Sequence, residues 1–459
     1  MFTLVSRLVL YSDLSHDSIL ADMARIYREW QTSPELNVCT RADLLTQTNA
    51  VVKRLLDIST TYGFDSDLWC DYLAFELLTC ENSFSLSMEG RDSIGSGTVN
   101  DLAQSDFGIF FDLLHWDFRP LEEALQTNIL STLRNYHAIK KQKRNYYANI
   151  SAKVRKLSAG LSEATDANAI FSLVLRAYSS FGVGLFGLNG AFRISRGQNY
   201  VEQDSYVQNS PNKNLLHFVP INNASSVRLN NLTGYELQKE QLIANTEAFV
   251  KGFPANNVLL YGDAGTGKST SVKALIDLYY DRGLRMIEIY KYQFRELSLV
   301  IEAIKHRNYH FIIFIDDLSF EENEVEYKFL KAVIEGGVES RPENVLIYAT
   351  SNRRHLIHET WSDRDDIELD GDIHRSDTVE EKLSLAGRFG VTINYSSPTP
   401  DLFHQIVLEL AVRELPAHAY VEENLLKLAD RWGIRHGGIS GRTAQQFIDH
   451  LAGVGPRAN

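Results

Sequence analysis

The residues best spaced for chemistry form one run, Gly262-Asp263-Ala264-Gly265-Thr266-Gly267-Lys268-Ser269, a complete G-x-x-x-x-G-K-S pattern followed by Thr270. Glycines at this spacing let backbone N–H groups turn inward around phosphate oxygens, and a helix beginning near Gly267 points its positive dipole end at them. Lys268 can reach the β- and γ-phosphates, and the Ser269 hydroxyl can ligate a magnesium ion. An apolar stretch precedes the run and a helical pattern follows it, the context such a loop requires. The reading is a site for ATP with Mg²⁺, with Gly262 to Thr270 as its phosphate-side residues.

A second chemical signal lies downstream. Phe311-Ile312-Ile313-Phe314-Ile315 is a continuous apolar run ending in Asp316 and Asp317. Two carboxylates at the end of a buried strand suit phosphoryl transfer to water: Asp316 would hold the metal's water shell and Asp317 would polarise the attacking water. A solvated acidic loop is the competing reading, because Glu321, Glu322, Glu324 and Glu326 follow.

Elements must position these groups. Short apolar runs at Val258–Tyr261, Met286–Tyr290, Phe311–Ile315 and Val345–Ala349 alternate with helical patterns at Lys268–Tyr280, Leu297–Ile304 and Glu326–Glu335. Strands apolar throughout, separated by helices, predict a parallel sheet covered on both faces. After Pro400 the periodicity is helical only, at Leu402–Leu415, Val421–Trp432 and Ser440–Leu451. Before the sheet, Ile19–Trp30, Arg41–Thr61 and Trp69–Leu78 also have helical spacing. The polar stretch Ser195–Asn214 reads as a long loop. The expected organisation is a mainly helical, partner-recognising N-terminal domain over 1–194, a linker over 195–226, an α/β core over 227–397 and a helical lid over 398–459.

These motifs, in this order, resemble the AAA+ ATPases over roughly Val227 to Leu451. Val345 to Asn352 resembles the sensor-1 strand, which implies Asn352 beside the γ-phosphate and the water. Leu385-Ala-Gly-Arg388-Phe389-Gly390 resembles the arginine-finger segment, which implies that Arg388 projects toward a neighbour's nucleotide; Arg353 and Arg354 are rival fingers. Gly438-Ile-Ser-Gly441-Arg442 resembles the start of a sensor-2 helix, and Leu229-Asn-Asn-Leu232-Thr-Gly234-Tyr235 the segment that cradles adenine, with Leu232 and Tyr235 as its contact residues. Asp317 stands where glutamate is usual, and its shorter side chain leaves hydrolysis less secure than binding. Gly234-Tyr-Glu-x-Gln, Asn256-Asn-Val-Leu-Leu-Tyr-Gly, Asp316-Asp-Leu-Ser-Phe and Glu380-Glu-Lys-Leu-Ser-Leu further resemble a bacterial AAA+ family known only as a domain of unknown function. The implied fold class is an α/β P-loop NTPase with an AAA+ core and a helical lid. The implied activity is ATP hydrolysis in a homo-oligomeric ring, such as a hexamer, with a finger arginine donated between subunits.

Composition narrows the partner. A net charge of −13 over 459 residues disfavours indiscriminate binding to polyanions. The exception is Arg134 to Lys156, where Lys140, Lys141, Lys143, Arg144, Lys153 and Arg155 are interleaved with Tyr136, Tyr146 and Tyr147. That segment could grip a nucleic-acid strand, although a solvated face or an internal docking surface is the favoured reading. Cys39, Cys70 and Cys80 lack metal or redox spacing and read as buried thiols in a reducing compartment. With no leader pattern and no apolar span, a cytoplasmic location is expected. Gly182-Val-Gly-Leu-Phe-Gly187 matches a dinucleotide fingerprint by letter but lacks its strand-and-helix context, so packing glycines are expected. Tyr290-Lys-Tyr-Gln-Phe294 follows a core strand where some AAA+ unfoldases carry a pore loop, without the usual aromatic-apolar-Gly order. Two functions remain open: an ATP-driven machine remodelling a protein or nucleoprotein, and a nucleotide-switched loader or regulator with incidental turnover.

Overall fold

The computed structural model describes residues 1–16, 18–33, 37–89, 97–138, 147–196, 216–221, 228–320, 324, 326–335, 342–352, 385–416 and 421–454. They fall into two compact units, Met1–Asn189 and Gly190–Asn459.

The first unit is built of helices, three of which, Ile19–Thr32, Val38–Tyr62 and Leu68–Thr79, lie where the apolar spacing placed them. The side chains of Ser18, Asn37 and Asp67 accept hydrogen bonds from free amides in their first turns, which fixes where each begins. Leu68–Thr79 is apolar on nearly every side and is buried accordingly, with Trp69, Tyr72 and Phe75 packed in a core that also takes Phe107 and Phe110. Buried Asp106 is satisfied by the backbone N–H groups of Val9, Leu10 and Tyr11 at 3.0, 2.8 and 3.1 Å. Gly187 packs on the backbone of Gly182, where an added Cβ would lie 2.6 Å from a carbonyl carbon, in keeping with a packing role. Cys70 and Cys80 are buried, but Cys39 is exposed: it sits in the first turn of its helix on the solvent side.

The second unit carries a seven-stranded sheet: β1 Ala191–Arg196, β2 Leu216–Pro220, β3 Val258–Gly262, β4 Leu284–Glu288, β5 His310–Ile315, β6 Val345–Ser351 and β7 Val391–Tyr395. The spatial order is β2-β1-β4-β5-β6-β3-β7, parallel throughout except for the β1–β2 pair. β4 and β6 are buried at every residue, as strands covered on both faces should be.

Two expectations change here. The 195–226 segment, read as a linker, contributes to the sheet: Ser195 and Arg196 end β1, and Leu216–Pro220 is β2. Residues 197–215 and 222–227 lie outside the described residues. β4 begins two residues before the expected Met286, because Arg285 is an interior residue of the strand. Its guanidinium is fully buried, donates to the Tyr280 and Leu284 carbonyls at 2.9 and 2.8 Å, and lies 4.2 and 4.4 Å from the ring centres of Tyr280 and Tyr309. Those contacts replace the hydration a buried cation loses.

Helices Glu236–Val250, Lys268–Tyr279, Leu297–Ile304 and Glu326–Glu335 accompany the sheet, and Pro400–Glu414, Glu422–Arg435 and Gly441–Val454 form the lid around Phe403, Val407, Ala429, Phe447 and Ile448. Among the described residues no helix is long and apolar enough to cross a membrane. β5, β6 and β3 are neighbours, so the carboxyl ends bearing Asp316, Asn352 and the phosphate loop meet at one edge of the sheet, where open α/β sheets bind ligands.

Candidate functional site

The loop leaves β3 at Gly262, whose φ of 133° and close approach to Tyr395 exclude a side chain: a Cβ would lie 2.1 Å from the Tyr395 carbonyl oxygen. The following helix starts at Lys268 with Gly267 at its cap. The Lys268 ammonium donates to the carbonyl oxygens of Gly262 and Asp263 at 2.9 and 2.6 Å and to Asn352 Oδ1 at 3.1 Å. Burial holds its pKa below the ordinary 10.5 against the opposing pull of Asp263, Asp317 and Asp316.

The acids after β5 are gripped by the end of β6. Asp316 Oδ1 accepts from Ser269 Oγ at 2.5 Å and from Thr350 Oγ1 at 2.6 Å. Asp317 has a φ of 54°, a left-handed turn that aspartate tolerates. Its N–H donates to Thr350 Oγ1 at 3.0 Å and its carboxylate accepts from the Asn352 side chain at 2.7 Å. Thr350 therefore fixes both acids, a role not read from the sequence, where it looked like one more strand residue before Asn352.

A cavity of about 760 Å³ joins these groups, within the range of nucleotide-sized pockets. It is lined by Ala264 through Thr270, Asp316, Asp317, Asn352 and Arg442, and also by Leu232, Tyr235, Ile406 and Leu410. The lining thus combines charged groups and loop residues with apolar side chains suited to a base. Tyr235 stacks on Tyr395 at 5.1 Å and donates to the Ser396 carbonyl at 2.8 Å; burial pushes its phenol up to about 12. The buried Lys239 ammonium holds the Leu232 carbonyl at 2.7 Å. From the lid, the Arg442 N–H donates to the Gly265 carbonyl at 3.2 Å.

Residues 202–455, more than half of the chain, match the sequence profile of the family described as "Protein of unknown function (DUF815)". The chain belongs to this family. Its core has the AAA+ arrangement, a P-loop sheet with the loop-bearing strand between β6 and β7 and a helical lid after the sheet. No curated protein matches this DUF815 chain. Solved structures similar to part of it include the Thermotoga maritima RuvB Holliday junction branch migration motor, 17% identical with a TM-score of 0.35 over 50% of this chain and 68% of that one. Another is the FIGL-1 AAA domain in complex with ADP, 18% identical with a TM-score of 0.35 over 50% of this chain and 73% of that one.

The oxygens of Ser269 and Asp316 in the DUF815 site are hard donors side by side, a set that fits magnesium. Among the described residues no group of three His, Cys, Asp or Glu side chains could cage a metal. Magnesium does not need one, since it keeps waters and shares substrate phosphates.

Some expected residues stand apart. Gly262 and Asp263 do not line the cavity; the Asp263 carboxylate instead accepts from Ser397 N and Oγ at 2.7 and 2.8 Å, which also holds its pKa low. Both residues serve through their carbonyls, which hold Lys268. Arg388 does not line the cavity either, and pairs with Glu335. Arg353, Arg354 and the 139–146 part of the basic segment lie outside the described residues. Of the described cations in that segment, Arg134 binds Asp67 at 2.9 Å and Lys153 donates to the Gly187 carbonyl at 3.2 Å, both structural uses. Lys239, Ile406, Leu410, Arg413 and Gln445 also line the cavity. For Ile406, Leu410, Arg413 and Gln445 the sequence signal was only the helical periodicity of the elements that carry them; for Lys239 there was none.

Proposed function

We propose that this DUF815 protein is a cytoplasmic AAA+ ATPase that binds Mg-ATP between the phosphate loop and the lid and hydrolyses it. We further infer that it works as a homo-oligomeric ring on a protein or nucleoprotein partner chosen by the N-terminal unit. One observation carries the catalytic part of the reading: Lys268, Ser269, Asp316, Asp317, Asn352 and Arg442 line a single cavity.

The loop amides and Lys268 would bind the phosphates, while Leu232, Tyr235, Ile406 and Leu410 enclose the base. Ser269 and Asp316 would hold magnesium, which supplies charge neutralisation at the phosphate oxygens. Asp317 orients the attacking water and takes its proton, and Asn352 fixes Asp317 and the loop lysine in one frame. Arg442 adds positive charge from the lid. Arg388 is the candidate finger, and leaving Glu335 for a neighbour's nucleotide would add about 10³–10⁵ in rate.

The switch reading also has an observation in its favour. Asp317 is a short acid already hydrogen-bonded to Asn352, an arrangement suited to slow turnover.

Steady-state ATP hydrolysis measured across protein concentration separates the two readings. A machine gives a rate per subunit that climbs with concentration and collapses in Asp317→Asn. Wild type no faster than Asp317→Asn would leave only the switch. An Arg388→Ala variant as active as wild type at high concentration would remove the shared-arginine part.

A further inference from the structure

Lys273 lies one helical turn beyond Ser269, on the same helix. Its ammonium is 3.7 Å from Asp316 Oδ2 and 3.2 Å from Glu288 Oε1, and 5.4 Å from the centre of the Phe314 ring. The two carboxylates differ in freedom. Glu288 ends β4 with its side chain 9% exposed, and its other oxygen accepts from Arg193 Nε at 2.9 Å and the Tyr290 hydroxyl at 3.3 Å. Burial alone would raise its pKa, but Arg193 and Lys273 outweigh it and keep the group ionised. Asp316 is about one third exposed, with Oδ1 taken by Ser269 and Thr350 and Oδ2 turned to Lys273.

An ammonium between two carboxylates divides its attraction according to the other charges near each. A divalent cation held by Ser269 and Asp316 would bring positive charge beside the ammonium on one side only. Repulsion then moves Lys273 toward Glu288, which is anchored and stays negative.

The geometry points to Lys273 as a positioning residue that bridges Asp316 and Glu288 when magnesium is absent and is drawn to Glu288 alone when magnesium binds, so that Lys273 and the metal compete for Asp316. This rests on the proposed metal-holding role of Ser269 and Asp316. Two opposite effects follow. Without Lys273 the metal faces no competitor, and without the Glu288 charge Lys273 has nowhere to retreat.

The test titrates magnesium against the full-length chain with a fluorescent ATP analogue, reading anisotropy, so that no turnover is needed. Lys273→Met lowers the half-saturating magnesium concentration by about 3–10-fold, and Glu288→Gln raises it by a similar factor. In the Lys273→Met background, Glu288→Gln has little further effect, because its influence passes through the lysine. Lys273→Arg, which keeps the charge, stays near wild type and separates charge from loss of fold. Full additivity of the two single changes, or an unchanged magnesium requirement in Lys273→Met, overturns the proposal. Asp316→Asn distinguishes the levels. If it leaves the magnesium requirement unchanged, the metal site is misassigned and both readings fall. If it raises the requirement while Lys273→Met does not lower it, only the Lys273 proposal falls.

Discussion

Asn352 donates its side-chain amide to Asp317 across 2.7 Å, while its oxygen accepts from Lys268 at 3.1 Å. One residue at the end of β6 thus ties the acid that would face water to the lysine that would face phosphate. Asp317→Asn keeps the shape of this link and removes the proton acceptor. Turnover is expected to fall by about 10²–10⁴-fold with little change in nucleotide affinity. Single-turnover hydrolysis beside equilibrium binding measures the two separately, and equal losses in both would assign Asp317 to binding instead.

Gly265 is the point where loop and lid touch. Its φ is 77°, and an added Cβ would lie 2.9 Å from Ser440 Oγ and 3.1 Å from Arg442 Cβ. Gly265→Ala therefore meets backbone strain of about 1–2 kcal/mol together with the clash. Nucleotide affinity should weaken by about tenfold or more. An alanine variant that binds as wild type would show that the loop and lid separate freely.

Glu76 gives a pH signature of the N-terminal unit. Burial raises its pKa from 4.5 to about 7, with Tyr72 and Arg54 pulling the other way. Below the lower value both folded and unfolded chains hold the proton. Between the two, the unfolded chain releases it and the folded chain keeps it, so stability falls as pH rises and the loss is complete above about 7. Glu76→Gln should be more stable than wild type above that pH, by about 1–3 kcal/mol, and the difference should vanish toward pH 4. Thermal unfolding of both proteins across pH checks the sign.

The cysteines should separate by reactivity. Cys39 is exposed, whereas burial pushes both Cys70 and Cys80 up to about 12. Reactivity needs thiolate and access together. Brief alkylation of the folded chain should modify Cys39 alone, with the other two reacting only in denaturant, as peptide mass spectrometry would show.

The parts legible in the sequence were those where one requirement acts at a time. Leu297–Ile304 and Glu326–Glu335 ran to their expected bounds, because helical spacing alone decided them. Strands buried on both faces stood out through unbroken apolar runs, and Asp316 and Asp317 were visible because they interrupt one. The strands that are not apolar throughout escaped notice. β7 alternates buried Ile393 and Tyr395 with exposed Thr392 and Asn394, and β1 mixes Arg193 and Ser195 with Phe192 and Ile194. Such strands lack the continuous hydrophobicity used to find the others. Arg285 hid the start of β4 because its two tyrosine neighbours come from other elements. Thr350 and Lys273 were missed for a related reason: each acts through a partner distant in the chain, and short-range spacing carries no trace of that.

The contact between the Arg442 N–H and the Gly265 carbonyl bears on how small this fold can be made. A chain ending after β7 would retain the entire G-x-x-x-x-G-K-S run, both aspartates and Asn352, and would lack only the Arg442 segment among the motifs named above. It would have lost Ile406, Leu410 and Arg442, which also line the cavity. In the proposed function the motif residues would bind the phosphates, and the lid residues would close the rest of the cavity. On that reading, the smallest unit able to retain a nucleotide reaches Arg442, more than 170 residues beyond the phosphate loop.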